Sequence, residues 1–169
     1  MQNLRGMQDL TPMIEPGEYP NWWVDGSYAV HPDMWSHSGI YMTLGKGIIC
    51  SGMLKQKPNT KNSTEAEPIA IDNAMGQILW TRNFLPHKGE YVQKTTITKT
   101  IKSFILLAEN GKTLSSKSMR HLNVRYYFVT DQINKGHIKV LLCPMQNMLA
   151  EFFIKPLQGA LFICMCEKS

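Results

Sequence analysis

Residues 22–29 read Trp22-Trp23-Val24-Asp25-Gly26-Ser27-Tyr28-Ala29. Two tryptophans and a valine start a strand, and Gly26 marks its end. Asp25 is the odd member, an acid at the end of a strand whose apolar neighbours predict a central place in a sheet. Two readings are open from these residues alone. Asp25 is either a strand-end turn residue beside Gly26, or a functional carboxylate held where a sheet meets solvent.

The chain on either side decides the fold class. Residues 38–44 and 47–54 read as two strands around Gly45-Lys46-Gly47, a hairpin signal. A loop over residues 55–62 leads to a helix with apolar residues at Ile71, Ala74, Met75, Ile78, Leu79 and Leu85, close to a 3.6 period. Thr64 and Glu67 fit a capping box at its start, and the helix is predicted to stop before Pro86. Residues 91–100 are rich in Thr, Val and Ile and read as a strand. A short helix is predicted over 101–109, a long one over 120–133, a strand over 137–143 and a helix over 145–154. The order β-β-β-α-β-α-α-β-α predicts an α/β fold with a mixed five-stranded sheet flanked by helices. It is the order of a ribonuclease H-like fold.

Composition narrows the function classes. The chain has 169 residues, 43% hydrophobic and 18% charged, enough for one domain with its own core. Residues 1–20 are rich in turn formers, 21–158 form the expected domain, and 159–169 are an unassigned tail. Apolar runs such as residues 104–108 are too short to span a bilayer, and residues 1–10 hold no apolar signal core. An intracellular place is expected: cytoplasm, nucleus or a virus-like particle. Cys50, Cys143, Cys164 and Cys166 form no CxxC pair, so free thiols are expected rather than a metal knuckle. Net charge is +5, which suits nucleic-acid contact without proving it. The lysines group as Lys55, Lys57 and Lys61, then Lys94, Lys99 and Lys102, then Lys112 and Lys117 with Arg120 and Arg125. From these, Lys55, Lys57, Lys61, Lys99, Lys102 and Arg120 are candidate phosphate contacts, although solvated surfaces carry such runs as often. Trp22, Trp23 and Trp80 read as core, and His121 as a structural helix residue.

Seven short motifs, in order, resemble the ribonuclease H region of copia-type LTR retrotransposon polyproteins. They are Leu4-Arg5-Gly6 with Asp9-Leu10, the Asp25 strand, Ser36-His37-Ser38-Gly39, and Lys55-Gln56-Lys57 followed by Asn62-Ser63-Thr64-Glu65-Ala66-Glu67. Ile78-Leu79-Trp80-Thr81-Arg82, Arg120-His121-Leu122-Asn123-Val124-Arg125-Tyr126 and Leu149-Ala150-Glu151-Phe152-Phe153-Ile154-Lys155-Pro156-Leu157 complete the series. No single motif is specific; their order and spacing, from about Leu4 to Gly159, are.

The resemblance implies hydrolysis of the RNA strand of an RNA–DNA hybrid by two Mg²⁺ ions held by four carboxylates, in a domain fused ancestrally to a reverse transcriptase. Asp25, Glu67 and Glu151 match three of the four positions, as metal ligands and catalytic acids. Glu67 competes with Glu65 and with a plain capping role, and Pro68 beside it is tolerated in a first helical turn. Glu151 stands where the family has the shorter Asp. The third position falls on Thr100, which is neutral, and Lys99 and Lys102 flank it with charges that repel a metal. The expectation is a degenerate ribonuclease H-like domain with hydrolysis absent or feeble. The alternatives are an active Mg²⁺-dependent nuclease using the remaining carboxylates, and a co-opted, non-catalytic binding module.

Overall fold

The computed structural model describes residues 15–57, 60, 62–89, 95–99 and 120–155. Five strands form one sheet: β1 (Glu15–Ser27), β2 (His37–Lys46), β3 (Ile48–Lys55), β4 (Thr95–Lys99) and β5 (Ile138–Leu142), in the spatial order β3-β2-β1-β4-β5. β1 runs antiparallel to β2 and β2 to β3, whereas β1–β4 and β4–β5 are parallel. The expected mixed α/β sheet is therefore present, with β1 at its centre. Helix α1 (Ser63–His87) and helix α2 (Arg120–Asn134) flank it, and a single 3-10 turn (Met145–Asn147) precedes the short helix α3 (Glu151–Ile154). Among the described residues no helix is long and apolar enough to cross a membrane.

The apolar spacing read in α1 is the stripe that packs. Ala70, Ile71, Ala74, Met75 and Ile78 join Trp22 and Val24 of β1, Ile40 and Met42 of β2, Ile97 of β4 and Tyr126 and Val129 of α2 in one core cluster. Burial of each large side chain there contributes about 1.5–3 kcal/mol. A smaller cluster sets Trp23 and Tyr41 against Met148, Leu149 and Ala150, which docks the α3 segment on the sheet. Trp80 does not join either; it is 63% exposed and stacks on Phe84, with ring centroids 4.8 Å apart.

Several boundaries differ from the sequence reading. β1 starts at Glu15 because a register shift between Pro16 and Asn21 absorbs the prolines that looked like a break. The cap of α1 is Asn62, whose Oδ1 accepts from the Glu65 N–H at 2.9 Å. Glu67 is thus not a capping-box residue, and Pro68 falls in the second turn rather than the first. At the other end α1 continues through Pro86 to His87. Gly89, at φ +87°, then turns the chain, with Lys88 and Gly89 N–H groups donating to the Leu85 and Pro86 carbonyls. The helix expected over 145–154 is broken, because Met148 is extended (φ −82°, ψ 90°) between the 3-10 turn and α3.

Candidate active site

Two glycines and a glutamine bring the three acids together. Gly26, directly after Asp25, lies so close to the start of α1 that a Cβ on it would meet the Ala66 carbonyl oxygen at 2.9 Å. That approach sets the end of β1 against Glu67. Gly39 of β2 pairs with Asp25 across the β1–β2 ladder, and a Cβ there would meet the Ala150 carbonyl oxygen at 2.5 Å. That second approach seats the first turn of α3, and with it Glu151. Gln56 latches the arrangement from the end of β3. Its buried Nε2 donates to Ser38 Oγ at 3.0 Å and to the Ala66 carbonyl at 2.9 Å. Asn73 Nδ2 also donates to Ser38 Oγ, at 3.1 Å. The Ser-His-Ser-Gly and Lys-Gln-Lys motifs thus supply the joints around the acids.

Asp25, Glu67 and Glu151 are all buried, and the charges of Glu67 and Glu151 both act on Asp25. Each glutamate has its own ammonium. Lys99, the last residue of β4, is wholly buried, ion-paired through Nζ to Glu67 Oε2, and also donates to the Glu67 backbone carbonyl at 3.2 Å. Lys155 pairs with Glu151 one helical turn away. Asp25 is left as the excess acid. Its burial, then the neighbouring Glu67 charge, push its carboxyl up to about 7; the charges of Lys99 and Lys155 pull the other way. Asp25, Glu67 and Lys155 line a cavity of about 740 Å³ that also takes in Ser63, Cys143 and Met145. Burial raises the Cys143 thiol, and the Asp25 charge adds to that.

This donor set does not suit a pair of divalent cations. Two of the three carboxylates already hold a lysine ammonium. Among the described residues no three His, Cys, Asp or Glu side chains form a group able to hold a metal ion.

The other sequence candidates separate. Glu65 takes the first turn of α1, while Glu67 lines the cavity. Lys99, grouped in the sequence with surface lysines, presents no charge to solvent. Lys55 is half exposed, pairs with Asp33 at 2.9 Å and lies over the Trp35 ring. Lys57 is exposed. Lys61, Thr100 and Lys102 lie outside the described residues, as does the helix expected over 101–109, and the side chain of Arg120 is not among those described. Sequence reasoning missed Lys155 and Cys143 as parts of the site. Lys155 carried a signal, since Glu151 and Lys155 have the i, i+4 spacing that pairs charges on a helix. Cys143 carried none.

No family model matches the chain. Similar curated proteins are retrovirus-related Pol polyproteins from plant transposons. That of transposon RE1 of Arabidopsis thaliana is 25% identical over 132 residues, 77% of this chain and 9% of the polyprotein. That of transposon TNT 1-94 of Nicotiana tabacum is 26% identical over 120 residues, 71% of this chain and 9% of the polyprotein. The chain thus spans about a tenth of the length of the curated relatives it matches. Among solved structures, the LC11 ribonuclease H1 isolated from compost superposes with a TM-score of 0.58 at 9% identity, covering 76% of this chain and 86% of that one. The ribonuclease H1 of the halophilic archaeon Halobacterium salinarum superposes with a TM-score of 0.51 at 12% identity, covering 75% and 86%. The chain has the ribonuclease H-like fold, and over most of its length it is similar to the Pol polyproteins of plant retrotransposons.

Proposed function

We propose that this chain is the ribonuclease H-like domain of a copia-type retrotransposon polyprotein, that it contacts RNA–DNA hybrids, and that it does not hydrolyse them. The observation that carries the reading is the pairing at the site. Asp25, Glu67 and Glu151 stand together at the end of the central strand, yet both glutamates are ion-paired to lysines of the same chain. A carboxylate holding an internal ammonium is not available to balance a hydrated Mg²⁺, which dehydrates reluctantly and needs well-placed oxygen ligands. Contact with a hybrid rests on shape and charge. A net charge of +5 and the exposed Lys55 and Lys57 beside the hairpin support it. A protein of the same fold, the LC11 ribonuclease H1, has been solved in complex with an RNA/DNA hybrid.

The test is one preparation assayed twice with a fluorescent hybrid. Anisotropy is expected to show binding, with a Kd on the order of 10⁻⁴–10⁻⁶ M that weakens as salt rises. Gel analysis in Mg²⁺ or Mn²⁺ is expected to show uncut RNA. Cleavage that disappears in Asp25→Asn would establish a working nuclease instead, and capture of the hybrid with no salt dependence would overturn the electrostatic mode of contact.

A further inference from the structure

We infer that Lys99 Nζ is a resident cation of the acid cluster, occupying the electrostatic place a divalent ion would take, and that its removal opens a divalent-cation site between Asp25 and Glu67. The inference rests on the proposed reading of the acids as a former metal-binding set, and it assigns a role to a residue that such a set does not need. Four observations support it. Lys99 is among the largest wholly buried side chains of the described residues, which is rare for lysine unless it is paired. Its ammonium meets two oxygens of one residue, the Glu67 carboxylate and the Glu67 backbone carbonyl. Its charge also acts on Asp25, where it partly offsets the rise caused by burial and the Glu67 charge. Its position is fixed by backbone pairing to β5 and the residue after it, because the β4–β5 ladder sets Lys99 against Leu142 and the Lys99 carbonyl accepts from the Cys143 N–H at 2.7 Å.

The physical consequence is an exchange of one cation for another. Buried carboxylates that repel each other need a nearby positive charge. In the native chain that charge is covalently supplied, so the cluster is stable without dissolved ions. Lys99→Met keeps a flexible side chain of similar length but deletes the ammonium. Glu67 and Asp25 are then left uncompensated, and a small divalent cation with oxygen preference is the natural replacement.

Thermal unfolding is measured for the native protein and for Lys99→Met, in Mg²⁺ or Mn²⁺ against NaCl of equal ionic strength. The native Tm is expected to move by less than about 1 °C between salts, since nothing binds. Lys99→Met is expected to start lower and to recover by roughly 3–5 °C at about ten times the cation's dissociation constant. Lys99→Met combined with Asp25→Asn should lose that recovery. A folded Lys99→Met with no cation response overturns the inference. Should Lys99→Met fail to fold in either salt, Mn²⁺ titration of the native protein followed by electron paramagnetic resonance decides. Silence at millimolar Mn²⁺ upholds Lys99 as the resident cation, and saturable binding abolished by Asp25→Asn overturns the inference. Native Mn²⁺ binding without hybrid cleavage would sink this inference and leave the proposed function standing; cleavage by the native protein would sink the function.

Discussion

Replacing Asp25 with asparagine should stabilise this protein at alkaline pH and leave it nearly unchanged in acid. The carboxyl is buried beside Glu67 and its pKa rises from 3.8 to about 7 in the folded chain. A raised pKa means that the folded state holds the proton more tightly than the unfolded one. The neutral acid therefore costs nothing below about pH 4, where both states are protonated. The loss of stability begins above that point, grows through the window up to about pH 7, and levels off beyond it. At about 1.4 kcal/mol per pH unit, the full window corresponds to roughly 4 kcal/mol. Asparagine keeps the shape and carries no charge, so the variant escapes that loss. Urea denaturation of both proteins between pH 4 and pH 8.5 gives the difference directly. The expected curve is a gap near zero at pH 4 that widens to several kcal/mol at pH 8.5. A gap below about 1 kcal/mol at pH 8.5 would mean that Asp25 is not held in a buried cluster of like charge.

Other perturbations test the scaffold around that cluster. Gly39→Ala places a methyl 2.5 Å from the Ala150 carbonyl oxygen and 2.8 Å from Ile154 Cγ2, and backbone cannot swing aside as a side chain can. A loss of about 1–3 kcal/mol in urea melts is expected, and a neutral result would contradict the close seating of α3. Gln56→Leu removes the buried donor shared by Ser38 Oγ and the Ala66 carbonyl, and should cost about 1–3 kcal/mol by the same measurement. Trp22→Ala should cost about 3–5 kcal/mol, since the ring is wholly buried. Trp80→Ala should cost less than about 1 kcal/mol, because its ring is mostly in solvent and meets Phe84 at the surface.

The sequence was most legible where local pattern and tertiary packing agree. The hairpin glycines at 45 and 47 both adopt positive φ, and the apolar stripe of α1 is the face that packs. The three acids lie near one another because their motifs carry the joints that gather them. The misses have physical causes. Trp80 lies off the stripe set by Ile71, Met75 and Ile78, so the helical period already placed it outward; its size suggested a core role that the geometry refuses. Lys99 shares a strand face with Ile97, two residues earlier, and the period of two put both inward. Its charge argued for the surface, and only the partner on α1, distant in sequence, explains why it is inside. The break at Met148 has no local signal, because what holds Ala150 in place is the missing side chain of Gly39 on another strand. The cap of α1 was read as Thr64, whereas Asn62, two residues earlier and with an equally suitable side chain, holds that place.

Compensation of the acid cluster from within the chain by Lys99 is open to direct observation. The most direct measurement is anomalous diffraction from crystals of the native protein soaked in manganese. Lys99 Nζ is expected on the Glu67 carboxylate, with no anomalous peak between Asp25 and Glu67. A manganese peak at that position, with the Lys99 ammonium displaced from Glu67, would contradict that compensation.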